Sequence, residues 1–342
     1  MDNRDRRRYP HRKNVGLSGI FPFAVTLLIC ISCWIIGHYY PVSLPVATGS
    51  GEMPLWNLLI ECIPDKGTVY FIGIVLLCLA GFITFLCANL FLNVIRDNTK
   101  MIFALFLLLY STIPDFDPVR PVFVATLFFF LALHELFRSY QDMLYPGKSF
   151  NIMFYLCLGS MLWIHLLWLI PLFWIGMHQF RVIHVRNFIA SFLGIFTFFV
   201  FVWAWCLWRH DFSFFTEAGQ RLVHFDFVLT GRPLPGPRIV TLVAVSLSVV
   251  AVALNFTVRP SEHSVRIRQF LSYLWISQIY LFVLLFVFGQ YFQDFLFLFC
   301  IPTAILLANL FADKSRLMRL FYWIAGVFLF LCFLFVRAII YL

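Results

Sequence analysis

The chain has 342 residues, of which 62% are hydrophobic and 12% charged, with a formal net charge of +9 and a mean hydropathy of +0.90. That balance excludes an ordinary soluble enzyme, in which roughly a quarter of the residues are charged. It predicts an integral membrane protein.

A helix rises about 1.5 Å per residue and the hydrocarbon core is about 30 Å thick, so roughly 17 to 25 apolar residues can cross. In chain order the apolar stretches run Leu17 to His38, Thr68 to Ile95, Met101 to Ile113, Pro121 to Phe137, Phe150 to Trp163, His165 to Met177, Phe188 to Trp208, Ile239 to Phe256, Phe270 to Phe288, Phe295 to Phe311 and Leu320 to Tyr341. The third, fifth and sixth are short. The fifth and sixth read as a hairpin whose second limb is disturbed by Pro171.

Basic residues collect on the cytoplasmic side of short loops. With the N-terminus inside, 18 of the 25 Lys and Arg residues fall on the inner side and 7 outside; a single kinked helix over Phe150 to Met177 would give 15 and 10. The expected fold is therefore an all-α, polytopic transmembrane helical bundle of about 11 spans, including short paired helices, with a cytoplasmic N-terminus. It divides into a basic cytoplasmic tail, residues 1–16, and a single transmembrane domain, residues 17–342. Arg6, Arg7, Arg8, Arg12 and Lys13 in the tail suit anionic headgroups, each contributing on the order of 1 kcal/mol. The positive charge is thus a topology signal and not one for nucleic acid. Eight of the nine cysteines lie within spans, Cys62 being the exception, and the C-x-x-C of Cys30 and Cys33 has no completing ligands, which makes these thiols small apolar fillers.

No inner loop exceeds about a dozen residues and no G-x-x-x-x-G-K-[ST] occurs, so there is no room for a nucleotide-binding domain. Chemistry must use the membrane or its outer face. Two outer loops are long, 39–67 and 209–238. In the first, Pro54 suits a helix start, with Asn57 and Glu61 on one face and Trp56, Leu59, Ile60 and Ile63 on the other. In the second, Phe214, Phe215, Ala218, Leu222 and Phe225 recur at helical spacing before the stiff segment Gly231 to Pro237. Both predict helices lying in the interface.

Between the third and fourth spans stands Pro114-Asp115-Phe116-Asp117-Pro118. Two carboxylates one residue apart between prolines can chelate a divalent cation, and they also suit an ordinary polar turn. Within the spans, His134 and Glu135 have Arg138 one turn on, and His165 lies between the limbs of the hairpin; these sit near span ends, within reach of water. Trp203, Trp205 and Trp208 read as an aromatic belt.

The stretches Asn93 to Asp115 (NVIRDNTKMIFALFLLLYSTIPD) and Leu127 to Phe196, with LFFFLALHELFRSY and FWIGMHQFRVIHVRNFIASFLGIF, resemble an uncharacterised bacterial family of multipass membrane proteins, a likeness that implies no activity. The layout of about the first 210 residues is similar to the GT-C superfamily of membrane glycosyltransferases: a cytoplasmic N-terminus, a first outer loop with interfacial helices and acidic residues, a short third span, an outer D-x-D and paired short helices. That resemblance implies a base or metal ligand among Glu52, Glu61 and Asp65 and an assisting acidic pair at Asp115 and Asp117. The chain departs from the pattern directly after the first span, where His38, Tyr39, Tyr40 and Pro41 stand in place of an acidic residue.

The leading expectation is a glycosyl or related group transferase using a lipid-linked sugar at the outer face of a bacterial cytoplasmic (inner) membrane. A carboxylate serves as general base, Asp115 and Asp117 hold Mg or Mn, and Arg209 or Arg337 neutralises the lipid phosphate. The alternative is a non-catalytic subunit or scaffold of an envelope complex, contacting other membrane proteins through aromatic helix faces that draw on its 44 Phe residues. A transporter ranks third, since the spans lack central charges and no repeat is evident.

Overall fold

The computed structural model describes residues 20–39, 53, 55–56, 59, 66–92, 99–113, 120–142, 145–209, 213–225, 227–228, 236–258, 264–311 and 316–341. Among them the chain is helical throughout, with twelve α-helices: α1 Ile20–Tyr39, α2 Lys66–Leu92, α3 Thr99–Ser111, α4 Pro121–Arg138, α5 Pro146–Ser160, α6 Ile170–Gln179, α7 Val185–Arg209, α8 Ser213–Val223, α9 Gly236–Val258, α10 Val265–Val287, α11 Phe292–Phe311 and α12 Arg316–Tyr341. Among the described residues five stretches are long and apolar enough to cross a membrane: Tyr70–Phe91, Pro121–Arg138, Val185–Trp208, Val265–Val287 and Gly289–Phe311. That is the pattern of a membrane protein. Each apolar stretch in the sequence coincides with a helix, and the extra one, α8, falls where the second long loop has helical spacing.

Proline sets several of the starts. Pro121 and Pro146 open α4 and α5, where a missing N–H costs nothing because first-turn donors have no intrahelical acceptor. Pro171 acts similarly and does not kink a continuous limb: residues Ile164–Leu169 form a 3-10 turn, and the α-helix begins only at Ile170.

The hairpin is directly visible. The Gln141 N–H donates to the Phe180 carbonyl at 3.2 Å, so the chain leaves this end along α5 and returns to it along α6. The α6 terminus closes with Val182 N–H to Met177 carbonyl (2.9 Å) and Arg181 N–H to His178 carbonyl (3.0 Å), and it places Arg181 at φ 58°. This is the paired bonding that ends many helices, with arginine at the position usually held by glycine.

Helix α11 is the central pillar. It contacts α10, α3, α9, α2, α4 and α12, and 94% of its apolar window is buried, against 22% for α7. Phe297 meets Phe123 at 4.5 Å, Tyr110 at 5.0 Å and Phe106 at 5.6 Å between ring centroids, locking α11 to α4 and α3. Beside Pro302, the Thr303 hydroxyl donates to the Phe299 carbonyl at 2.7 Å and accepts from Gln278 Nε2 of α10 at 3.0 Å. Helix α7 lies outside this core and packs on α5, where Gly194 faces the Phe150 carbonyl.

Candidate functional site

Contacts between helix ends sort the molecule into two poles. At one, Trp34 of α1 donates to the Ser111 hydroxyl at the end of α3 (2.8 Å), and Tyr70 at the start of α2 donates to the Trp34 carbonyl (2.7 Å). The same pole holds Arg120 before α4, the 3-10 turn after α5, helix α8 and the junction of α10 with α11. At the other, Phe91, Phe137, Tyr140, Phe180 and Phe270 pack together, joining the end of α2, the end of α4, the end of α6 and the start of α10.

The first pole carries a buried ion pair and a buried histidine. Arg120 Nη1 lies 3.2 Å from Asp294 Oδ1, with side chains only 12% and 5% exposed. Helix α4 supplies the cation just ahead of its first residue and α11 the anion in its first turn, so the pair ties two parallel helix starts. A guanidinium so placed presents planar, charge-assisted N–H donors at this pole.

His165 is fully buried on the adjacent 3-10 turn, its ring 3.9 Å from that of Tyr291 and 5.7 Å from Trp163, with Phe288 at 5.2 Å. The Arg221 main-chain carbonyl of α8 lies towards the imidazole, but neither ring nitrogen makes a hydrogen bond of good geometry within the protein, and neither does Trp163 Nε1. Two such donors left without protein acceptors are costly in a packed interior. Around them α8 is pinned down: Trp168 Nε1 donates to the Leu222 carbonyl at 3.1 Å, Tyr280 Oη donates to the Trp168 carbonyl at 2.6 Å, and Val228 N–H donates to the Phe286 carbonyl at 3.0 Å.

Of the residues singled out from sequence, Glu52, Glu61, Asp65, Asp115 and Asp117 lie outside the described residues, while Arg209 ends α7 and Arg337 lies in α12 with their side chains outside that description. The described neighbours of the acidic ones, Tyr39, Lys66, Ile113 and Arg120, belong to elements that reach the first pole. In the first loop, Leu55 and Trp56 are helical, but Trp56 turns inward at 6% exposure with Met53 at 4%, and Leu59 faces outward at 44%. The apolar face expected there is therefore divided. His165 is shielded and not within reach of water, because the hairpin turn tucks beneath α8. The pairing of Glu135 with Arg138 is present at 3.7 Å. Cys30 and Cys33 are both buried.

Asp294 escaped the sequence reading, although it is the only acidic residue between Ser264 and Phe311. A lone carboxylate at the start of an apolar span is the signal that points to it. Among the described residues no group of three or more His, Cys, Asp or Glu side chains is placed to hold a metal ion. No protein family matches the chain, and neither does any curated protein or solved structure.

Proposed function

We propose that this chain is a group transferase embedded in a bacterial cytoplasmic membrane, spanning it about 11 times with its N-terminus inside and acting on a lipid-linked sugar at the outer face. The observation that carries the reading is a buried Arg120 to Asp294 pair at the same pole as the buried His165. Arg120 with Asp294, His165 and Trp163 Nε1 all lie at the end from which the loops bearing Glu52, Glu61, Asp65, Asp115 and Asp117 depart. Buried charge near a bilayer is expensive and marks function more often than packing.

In this reading a carboxylate among Glu52, Glu61 and Asp65 takes the proton of an acceptor hydroxyl. The freed oxygen forms a bond to the anomeric carbon as that carbon's bond to the lipid phosphate oxygen breaks, and the bonding pair leaves with the phosphate. Asp115 and Asp117 hold Mg or Mn, whose charge would offset that of the departing phosphate. Arg120, Arg209 and Arg337 supply N–H donors to the same group.

Purified protein incubated with a lipid-linked sugar, an acceptor alcohol and millimolar Mg or Mn should release the lipid phosphate, and the Asp115→Asn, Asp117→Asn double variant should lose at least about tenfold in rate, a modest figure for an electrostatic contributor. Absence of turnover in the unmodified protein with either cation would sink the transferase reading. The non-catalytic subunit would then stand, with the outer face of α7 as its contact, where Phe196, Phe201 and Trp203 are 65%, 67% and 54% exposed.

A further inference from the structure

The second pole is as basic as the first is mixed. Among the described residues, Arg138, Lys148, Arg181, Arg186, Arg266 and Arg268 stand within or beside its aromatic group, against the carboxylates Glu135 and Asp142. Those two carboxylates are already engaged: Glu135 lies 3.7 Å from Arg138, and Asp142 lies 2.6 Å from Lys148 Nζ. Among the described residues the remaining four arginines have no carboxylate within ion-pair distance, and all four are exposed.

Two of them are held in a way that packing does not require. Arg181 occupies the left-handed position after α6 at φ 58°, where glycine would be unstrained and a side chain is not. Retaining arginine there sets a cation beside Phe180 at the cost of backbone strain, and strain of this kind points towards a use for the side chain. Arg266 stands over two rings, 5.8 Å from the centroid of Tyr140 and 5.4 Å from that of Phe270. Held beside these rings and exposed, the guanidinium offers N–H donors to a planar or tetrahedral oxyanion. Phe180 packs on both of those rings, at 5.8 and 5.2 Å, so Arg181 and Arg266 flank one aromatic platform.

We infer that this pole binds the phosphate of an anionic phospholipid headgroup through Arg181 and Arg266, with the acyl chains running down the apolar surface alongside. A lipid is the fitting source of the anion because the platform stands at the ends of apolar helices: Val185, the first residue of α7, is 71% exposed, and Ile175 of α6 is 42% exposed. Headgroup phosphate and exposed hydrocarbon surface are thus offered side by side. The site is independent of the transferase reading and lies at the opposite end of the bundle.

The test uses the full chain in neutral detergent, followed by thermal unfolding and native mass spectrometry. Added dioleoylphosphatidylglycerol should raise the unfolding temperature and appear as retained adducts, whereas dioleoylphosphatidylcholine and inorganic phosphate should do neither. The Arg181→Gly, Arg266→Gln variant should lose about twenty-five-fold in apparent affinity, at roughly fivefold for each cation. Arg181→Gly alone should fold at least as well as the parent in phosphatidylcholine, since glycine relieves the strained position, so loss of lipid binding cannot be put down to loss of fold. Arg181→Lys should keep most of the response. Equal adduct counts for the two lipids, or an undiminished response in the double variant, would overturn the assignment, and a response to inorganic phosphate alone would show a free-anion site instead.

Discussion

A methyl group added at Gly194 would lie 2.5 Å from the Phe150 carbonyl oxygen, which belongs to a neighbouring helix backbone and has nowhere to retreat. Helix α7 touches the core chiefly along this line, so Gly194→Ala should push it off α5 and cost about 1–3 kcal/mol. At Gly219 on α8 nothing lies within 4 Å, and Gly219→Ala should instead gain up to about 1 kcal/mol from helix propensity. Reversible unfolding of the two variants checks the pair, and a neutral Gly194→Ala would mean that α7 is not seated on α5 at this distance. These roles were not legible in the sequence. In a bilayer the lipid-facing and helix-facing sides of a span are equally apolar, so Phe297 at the centre and Phe201 on the outside look alike in the chain. His165 was legible as a polar residue between short limbs, but its burial depends on α8, which arrives more than forty residues later in the chain.

At the scale of elements, sequence reading succeeded where local chemistry decides. The amphipathic spacing of α8 and the break between the short limbs before Pro171 concern neighbours in the chain, and both are present in the structure. The Arg120 to Asp294 pair joins residues 174 apart, and no spacing rule reaches that far. It makes a quantitative claim about how α4 and α11 are held. Replacing Arg120 by Met leaves the carboxylate of Asp294 buried without its guanidinium and should cost about 3–5 kcal/mol. Replacing both, as Arg120→Met with Asp294→Leu, should recover most of that loss, because a nonpolar pair of similar volume needs no solvation. The double-mutant cycle then gives a coupling of at least about 2 kcal/mol, within the range for residues in direct contact. Additive effects would show that the two charges do not meet in the folded protein. Should the double variant be as stable as the parent yet inactive in sugar transfer, the pair is held for chemistry and not for the fold.

For the whole molecule, the two poles should face opposite sides of one bilayer. Helices α2, α4, α7, α10 and α11 each run from one pole to the other, and between Gln141 and Phe180 the chain goes out and returns, an even number of passages. His224 follows α8 at the first pole, and Arg268 lies in the first turns of α10 at the second; both are exposed. In a chain whose native cysteines are replaced, a membrane-impermeant thiol reagent applied to intact cells should therefore modify a cysteine at His224 and spare one at Arg268, and opening the cells should expose the latter. The direction follows from charge. Arg138, Arg181, Arg186, Arg266 and Arg268 gather at the second pole, and cytoplasmic loops retain an excess of Lys and Arg. The reverse labelling pattern would turn the molecule over and place the Arg120 to Asp294 pair on the cytoplasmic side, where a transferase using an externally presented lipid-linked sugar would have no donor. Labelling of both positions from outside would mean that the poles do not lie across a membrane from each other, and both the lipid site at Arg181 and the outer-face reaction would then have to be abandoned.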